Sequence, residues 1–512
     1  MQIGKIKNHK WALLIASLVF ILVYQYYAVV DPLIIRDGDD WRYFGSFLSH
    51  PLPRLWVWNP TRLFQEHLMP LLGYLAAFVI YPIKGDYLGA SSMALALIMA
   101  LFLTLLFLSL YRLYTALYKN NFICAMVATM TMVICFTIFK NNPTANVHMF
   151  FAHLYNIYAC YVLPNILNSI IVLELMRYMI MKGNLGIDSF DFKKGFFLVG
   201  IYFAIFSMLY SAAISLSFAV SVLLVHLIIN LRGKEKVTHK LMKFSKESIK
   251  HHNVAIFIML ITMLAMGLEM TGTRSGMITS HAYFGSIFSF EYIRRIRESA
   301  IYIFSHDYMM NKYVIFTMAI IIFSAIIIYV VKPKSRSNKA IVLSLKCLIS
   351  SVFSFIFYVL LAAKVGPSYL SSIRCSYGVF FFLILFISLI SIYVLMEIKQ
   401  SQFLLPFILM ILFLTMLNSS WPYRKASAGS ENFFVHKFIP ALYEASNAGY
   451  NEIDLYIPNE ATFEKWELDC LADTLYNHKI IPAKIRINEL KSSIDGGVYA
   501  RPNPNPACDG DG

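Results

Sequence analysis

Residues 92–111, SMALALIMALFLTLLFLSLY, form an apolar run of twenty residues without a charged side chain. A helix needs about 20 such residues to cross the hydrocarbon core of a bilayer. The whole chain has the same character, because 58% of its 512 residues are hydrophobic and only 14% are charged. Soluble domains usually carry roughly 25% charged residues. The sequence therefore predicts an integral membrane protein.

Ten further apolar runs approach the length needed to cross a membrane. They lie at residues 11–29, 122–139, 161–181, 195–210, 213–231, 254–270, 313–331, 341–363, 377–396 and 403–418. The first run lacks a small-residue cleavage site, so we predict an uncleaved first helix rather than a signal peptide. The predicted fold class is an all-α polytopic membrane protein of about eleven transmembrane helices.

Basic loops predict how these helices are oriented. Residues 232–252 hold seven Lys and Arg, and residues 332–339 hold four with no acid, so both loops are expected in the cytoplasm. Counting from them, the apolar segment 65–83 should not cross, and we predict a juxtamembrane or re-entrant helix on the outer side. The N-terminus then lies inside and the C-terminus outside. The predicted outer loops are 31–91, 140–160, 271–312 and 364–376.

Residues 419–512 differ in charge from the predicted transmembrane domain, residues 1–418. They carry nine Lys and Arg against thirteen Asp and Glu, which leaves a net charge of +19 on residues 1–418. That excess lies in short loops between apolar runs, so nucleic acid is excluded as a partner. Helix and strand patterns predict a small periplasmic α/β domain at 419–500 and a disordered tail at 501–512. The two cysteines that could pair in a periplasmic region are Cys470 and Cys508.

The first outer loop holds the densest group of acidic side chains. Asp37, Asp39 and Asp40 lie within four residues, flanked by Arg36 and Arg42. Carboxylates this close raise one another's proton affinity unless arginine or a metal ion compensates. A carboxylate so placed can act as a general base toward a sugar hydroxyl. The alternative is a solvated turn, since Asp-Gly-Asp is common in turns. A divalent cation could also bind here, although no metal-ligand set is evident.

The segment DGDDWRYFG at 37–45, followed by PTRLFQEH at 60–67, resembles the GT-C membrane glycosyltransferases. It is most similar to the phage-associated, serotype-converting O-antigen glucosyltransferases. The resemblance implies transfer of one sugar, glucose in that group, from a polyprenyl-phosphate donor to lipid-linked O-antigen or another surface glycan. It also implies the periplasmic face of a bacterial inner membrane, with membrane lipids as further partners. The implied catalytic residues are Asp39, Asp40 and Asp37. The implied substrate-binding residues in this loop are Arg42, Arg62, Glu66 and His67.

Another predicted outer loop, 271–312, holds a cluster of arginines. Its members are Arg274, Arg294, Arg295 and Arg297. The positive-inside rule gives no reason for such a cluster outside. Arginine binds phosphate bidentately, so one interpretation is that the cluster contacts the lipid phosphate of the donor. The alternative is pairing with Glu291 and Glu298, together with contact to lipid headgroups. Arg374 is either a second phosphate contact or an interfacial side chain.

Histidines and tryptophans of the outer loops have less specific interpretations. His148 and His153 lie five residues apart, which is not a single-face spacing, so we interpret them as interface residues rather than metal ligands. Trp41, Trp56 and Trp58 are interpreted as an interfacial belt, as a platform that stacks on sugar, or as both.

Two rival functions fit the sequence less well. An O-antigen polymerase also has many spans and arginine-bearing outer loops, but it does not explain the Asp-rich first loop or the C-terminal domain. A lipid-linked sugar flippase or transporter usually shows internal repeats and charges in mid-membrane. This sequence shows no repeat and almost no charge within its apolar runs.

Overall fold

The computed structural model shows a bundle of long apolar helices and a small C-terminal α/β domain. It describes residues 10–33, 35, 37–48, 50–141, 145–152, 154–186, 192–231, 237–273, 290–304, 309–331, 338–397, 428–458, 463–493 and 498–502. Within this part of the chain, nine helices are long and apolar enough to cross a membrane, as in a multi-pass membrane protein. They are Lys10–Val30, Leu63–Lys84, Tyr87–Leu117, Tyr155–Lys182, Leu209–Leu231, Asn253–Thr271, Lys312–Val331, Lys339–Val365 and Ile373–Glu397.

Most of the predicted crossings coincide with these helices. Two predicted crossings form shorter apolar helices, Asn121–Thr137 and Phe192–Ile205. Residues 403–418 lie outside the described residues, so the number eleven stays a prediction. The remaining helices are Gly38–Gly45, Val237–His251, Phe290–Phe304, Pro367–Ser371, Ala428–Asn447 and Lys465–Asn477. Short π-helical segments lie at Tyr26–Val30, Ala76–Ile80 and Tyr158–Val162.

The helix Leu63–Lys84, named here the outer helix, forms an antiparallel pair with Tyr87–Leu117. Gly85 makes the tight turn between them with φ +74, a backbone angle that glycine adopts easily. The rings of Tyr81 and Tyr87 lie 5.9 Å apart beside this turn. At the far end of the pair, Phe64 lies 6.1 Å from Phe102, about 22 Å along the partner helix from Tyr87.

The start of the outer helix lies beside a turn that connects two neighbouring helices. The Phe64 amide donates to the Phe206 carbonyl at 3.2 Å. The side-chain amide of Gln65 donates to the Ser207 carbonyl at 2.8 Å. Phe206 and Ser207 lie in the turn between the helices Phe192–Ile205 and Leu209–Leu231. Beyond this point the outer helix continues along Tyr87–Leu117 as far as the turn at Gly85. It is one continuous helix rather than a re-entrant hairpin, and it is long and apolar enough to cross a membrane, so its place on the outer side stays a prediction.

Hydroxyl and amide side chains join the helices inside the bundle. Tyr114 and Ser388 both hydrogen-bond to Thr131, at 3.0 and 2.9 Å, and so link three helices. Asn168 donates to the Ala204 carbonyl at 2.7 Å and accepts from Ser215 at 2.7 Å. Small polar side chains at helix contacts are a common source of association in lipid, where the hydrophobic effect between helices is absent.

Two small sheets lie at the ends of the bundle. Phe139–Asn141 pairs antiparallel with Ala145–Val147 and with Met309–Met310, and so joins two predicted outer loops. In the C-terminal domain, Glu452–Ile457 is the central strand, parallel to Arg486–Ser492 and antiparallel to Tyr499–Pro502. The helix Lys465–Asn477 connects the parallel pair as a βαβ unit.

The C-terminal domain has the predicted α/β pattern, but its predicted end at residue 500 falls inside a strand. The predicted tail at 501–512 was wrong at its start, because Arg501 and Pro502 pair with Asp454 and Ile453. This strand is too short to show the alternation on which the prediction relied. Cys508 lies outside the described residues, so its pairing with Cys470 stays a prediction.

Candidate functional site

The three aspartates of the first outer loop have three different environments in the helix Gly38–Gly45, named here the acidic helix. Asp37 is the N-cap, and its carboxylate accepts from the Asp40 amide at 2.8 Å. Asp40 is fully buried, and its carboxylate accepts from the backbone amide of Asn156 at 2.6 Å. Asp39 is exposed to solvent. Asp37 therefore caps the helix, Asp40 is held inside the protein, and Asp39 remains accessible.

Tyr43 lies one helical turn after Asp39 and so shares its face of the acidic helix. The Tyr43 hydroxyl accepts from the Asn59 amide at 2.7 Å, and the same amide donates to Glu66 at 3.0 Å. Burial raises the pKa of Tyr43 to about 12, while the Arg62 charge lowers it and the Glu66 and Asp39 charges raise it. Tyr43 is thus a neutral hydrogen-bonding group with both carboxylates and Arg62 as neighbours.

Tyr43, Asn59 and Glu66 line a pocket with an empty volume of about 540 Å³, named here the Tyr43 pocket. Its polar lining includes Arg42, Tyr43, His50, Arg54, Asn59 and Glu66. Trp58 also lines it and is 43% exposed, so it can stack on a bound ring. Trp41 is buried at 1% exposure, and the interpretation of Trp41 as a belt or platform residue was wrong. Its ring packs inside the protein because the C-terminal domain covers this helix.

A second and larger cleft, named here the Arg62 cleft, adjoins the Tyr43 pocket. The Arg62 cleft has an empty volume of about 1020 Å³. Asn59 and Pro60 line the Tyr43 pocket, and the next two residues, Thr61 and Arg62, line the Arg62 cleft. Its polar lining residues are Thr61, Arg62, Tyr161, Tyr210, Glu269, Lys364 and Tyr369. Its apolar lining residues are Met208, Leu209, Met266, Met270, Leu361 and Val365.

Arg62 is the most buried cation of this cleft, with 9% of its surface exposed. Thr61, beside it, donates to the Glu269 carboxylate at 2.5 Å, which ties the loop before the outer helix to the end of Asn253–Thr271. Lys364 contributes a second half-buried cation. A guanidinium and an ammonium above an apolar wall suit an amphiphilic anion, because the charges and the wall can bind its two parts at once.

Arg374 lies next to the Arg62 cleft. Its guanidinium lies 5.1 Å from the centre of the Tyr161 ring, a distance typical of a cation–π contact. The Asn165 amide donates to the Arg374 carbonyl at 2.9 Å and fixes the backbone there. The predicted residues Arg62 and Arg374 are therefore both brought near Tyr161, although 312 positions separate them in the chain.

The arginine cluster of the loop 271–312 is placed differently. Arg294 pairs with Glu291 at 2.9 Å and with Glu298 at 3.7 Å, and Arg295 pairs with Glu291 at 3.3 Å. All these pairs lie within the helix Phe290–Phe304, named here the arginine helix. Arg297 is exposed on its surface, and Arg274 lies outside the described residues. This arrangement favours the alternative interpretation, in which the glutamates pair with the arginines.

Of the two histidines in the loop 140–160, the structure describes His148. His148 is buried among aromatic rings, including Tyr26, Tyr27 and Phe136, and His153 lies outside the described residues. His67 hydrogen-bonds through Nδ1 to the Leu63 carbonyl at 2.7 Å and does not line either pocket. Within the described residues, no three His, Cys, Asp or Glu side chains form a metal-ligand group.

The C-terminal domain packs directly on the acidic helix. The Thr474 hydroxyl donates to the Trp41 carbonyl at 2.8 Å, and the Asn477 amide donates to the Gly45 carbonyl at 3.2 Å. Trp466 packs so closely on Gly38 that a Cβ at that position would overlap its ring. The domain therefore holds the helix that carries Asp39.

His478 anchors the same interface. It is 1% exposed, its Nδ1 hydrogen-bonds to the Tyr87 hydroxyl at 2.5 Å, and its ring lies 5.4 Å from that of Phe44. Burial lowers the pKa of His478 to about 4, so the ring is neutral at ordinary pH. His478 was not predicted from the sequence as a site residue, and neither were Glu269 and Lys364 as cleft residues. No local pattern marks them, because long-range packing alone brings them to the site.

Comparison with protein-family models, with curated proteins and with solved structures gave no match. Function is therefore inferred from the geometry of this site and from the residues that form it.

Proposed function

We propose that this protein transfers a single sugar, glucose by resemblance, from a polyprenyl-phosphate donor to a glycan acceptor such as lipid-linked O-antigen. The observation that carries the proposal is the buried Arg62, which lies in an amphipathic cleft beside a pocket lined by the Glu66 carboxylate and the Asn59 amide. We place the reaction on the periplasmic face of a bacterial inner membrane, with the N-terminus cytoplasmic and the C-terminal domain periplasmic.

The donor occupies the Arg62 cleft in this proposal. The apolar residues of the cleft contact the first isoprene units, and Arg62 and Lys364 bind the phosphate. Arg374, next to Tyr161, adds positive potential. The sugar then points toward the Tyr43 pocket, where Arg42, Asn59 and Glu66 offer hydrogen bonds to its hydroxyls and Trp58 offers a stacking surface.

Asp39 is the general base of this mechanism. It is exposed and shares a helix face with Tyr43, whereas Asp40 is buried and already accepts a backbone hydrogen bond. The acceptor oxygen attacks the anomeric carbon as the bond from that carbon to the phosphate oxygen breaks. Asp39 takes the acceptor proton, and the polyprenyl phosphate leaves against Arg62, where the negative charge develops. One direct displacement inverts the anomeric centre.

The test compares Asp39→Asn with Asp40→Asn in purified full-length protein. Asp39→Asn should keep its abundance in the membrane and transfer sugar at least about 10²-fold more slowly. Asp40→Asn should lose abundance and activity together, because its carboxylate is buried and bonded to the Asn156 amide. Glu444→Gln, on an exposed surface of the C-terminal domain, is the matched control and should transfer normally.

Other outcomes would revise or end the proposal. A stable Asp40→Asn protein that is inactive would move the base from Asp39 to Asp40. Full transfer by Asp39→Asn and by Asp40→Asn would remove the acidic helix from the mechanism. A wild-type protein that moves a polyprenyl-phosphate sugar across vesicles without transferring it would favour a flippase.

A further inference from the structure

A third pocket, named here the lysine pocket, lies at the end of the bundle opposite the Arg62 cleft. It is where Tyr155–Lys182 ends and Lys339–Val365 begins, and its empty volume is about 550 Å³. Its lining residues are Met179, Ile180, Gly183, Lys339, Val342, Leu343 and Lys346. By the positive-inside rule this end of the bundle is predicted to face the cytoplasm.

Among the described residues that line this pocket, the two with charged side chains are Lys339 and Lys346. Lys346 is half-buried, and its ammonium contacts the Met179 sulfur at 3.3 Å, while the Lys339 ammonium contacts the Ile180 carbonyl at 3.4 Å. A thioether and a carbonyl are neutral acceptors. Among the residues that the structure describes, neither lysine has a carboxylate partner. A cation inside a membrane span is costly unless an anion or water compensates it, so this position calls for an anionic partner.

The geometry of the lysines fits one headgroup at the membrane surface. Lys339 and Lys346 are seven residues apart, which is two helical turns, so they lie on the same face of their helix at different depths. Lysine at such a depth extends its ammonium toward the interface. The pocket walls beside them are Met179, Ile180 and Val342, and Val342 is 45% exposed on the outside of the bundle. Acyl chains can lie against these walls, whereas a free phosphate ion cannot use them.

We propose that the lysine pocket binds the phosphate headgroup of an anionic glycerophospholipid from the adjoining leaflet. Lys346 and Lys339 are its two cations, and the apolar walls contact its acyl chains. Basic pockets between transmembrane helices on the cytoplasmic side are a known means of holding anionic lipids. The proposal concerns a different end of the bundle from the transfer site and does not depend on it.

The experiment is native mass spectrometry of the full-length protein in detergent, titrated with phosphatidylglycerol or phosphatidylcholine. Wild-type protein should retain phosphatidylglycerol preferentially. Lys346→Met, which keeps length and removes charge, should bind it at least about fivefold more weakly. Lys346→Arg should restore the binding, and Lys339→Met should show a smaller loss. Lys243→Met, an exposed lysine of Val237–His251, is the matched control and should bind as wild type.

Three results would overturn the proposal. The first is equal phosphatidylglycerol binding by Lys346→Met and wild type when both elute as single monodisperse peaks. The second is equal retention of both lipids by wild type. The third is complete displacement of phosphatidylglycerol by millimolar inorganic phosphate, which would assign the pocket to a soluble anion. If Lys346→Met does not fold, the test compares phosphatidylglycerol binding by Lys339→Met and Lys243→Met. Weaker binding by Lys339→Met supports the proposal, and equal binding by the two variants overturns it.

Discussion

Arg62 and the arginine helix present the same chemical group in two opposite settings. Arg62 is 9% exposed and lies in a cleft formed by five separate parts of the chain. Arg294 is exposed at 57% of its side chain and pairs with glutamates three residues before it and four residues after it. A buried cation with a cleft before it can bind a ligand strongly, whereas an exposed cation with local partners contributes little. Counting arginines in outer loops does not distinguish these two settings.

The largest expected effect is the loss of Arg62. Arg62→Ala removes the cation that faces the departing phosphate, so we expect sugar transfer to fall by about 10²–10³-fold, as when one charge-stabilising donor is removed from an active site. Arg62→Lys should recover only part of the rate, because an ammonium cannot bind phosphate bidentately. The measurement is transfer from a polyprenyl-phosphate sugar at equal membrane abundance.

The same assay contains a check on the comparison. Arg54, which lines the Tyr43 pocket but not the Arg62 cleft, provides the control variant Arg54→Ala. Because the proposal places the donor sugar in that pocket, Arg54→Ala should raise the Michaelis constant for the donor and slow the transfer step itself less than Arg62→Ala does. Equal losses for Arg62→Ala, Arg54→Ala and Arg294→Ala would mean that general positive charge, and not the position of Arg62, supports the reaction.

The sequence was sufficient for the parts of the fold that depend on local patterns. Apolar runs such as 92–111 predicted the spans because each helix satisfies its own backbone hydrogen bonds in lipid. The helix and strand pattern predicted the C-terminal domain for the same local reason. The acidic helix, by contrast, was expected as a loop. Its N-cap bond between Asp37 and the Asp40 amide is local, but the Trp466 ring that packs on Gly38 lies far along the chain.

The candidate site was predicted only in part. The motif residues Arg62 and Glu66 lie in or beside the two pockets, because the segment that contains them forms the start of one helix. Lys364 and Glu269 could not be assigned, since each is a single charge near the end of a span, where contact with headgroups is the ordinary expectation. Only the packing of three helices at one level brings them to Arg62.

An intermediate effect is expected where the C-terminal domain holds the acidic helix. Gly38→Ala adds a Cβ that overlaps the Trp466 ring, so one of the two elements must shift. Overpacking of this kind costs about 1–3 kcal/mol, and displacement of a catalytic group by about 1 Å can cost up to about 10²-fold in rate. We expect transfer by Gly38→Ala to fall by about tenfold to hundredfold at unchanged abundance.

A double variant tests whether the contact between Gly38 and Trp466 causes the loss of activity. Trp466→Ala removes the ring that the new Cβ would meet, so the Gly38→Ala, Trp466→Ala double variant should be more active than Gly38→Ala alone. Thr474→Ser, which keeps the hydroxyl that donates to the Trp41 carbonyl, should transfer nearly as wild type. A double variant no better than Gly38→Ala would show that the glycine matters for the helix itself and not for the domain contact.

The smallest effect is expected in the arginine helix. Glu291 pairs with both Arg294 and Arg295, and its side chain is 53% exposed. Exposed pairs of this kind stabilise a helix by about 0.3–0.5 kcal/mol each, so Arg294→Ala and Arg295→Ala should change transfer by less than about threefold.

Glu291→Gln gives the more informative measurement, because it frees both arginines at once. If these arginines bind the donor phosphate, freeing them should lower the Michaelis constant for the donor, and Arg294→Ala should raise it. If they are paired surface residues, both variants should match wild type within about twofold, and the contrast with Arg62 holds. A donor-specific loss in Arg294→Ala as large as that in Arg62→Ala would contradict it, and would extend the phosphate site to the arginine helix.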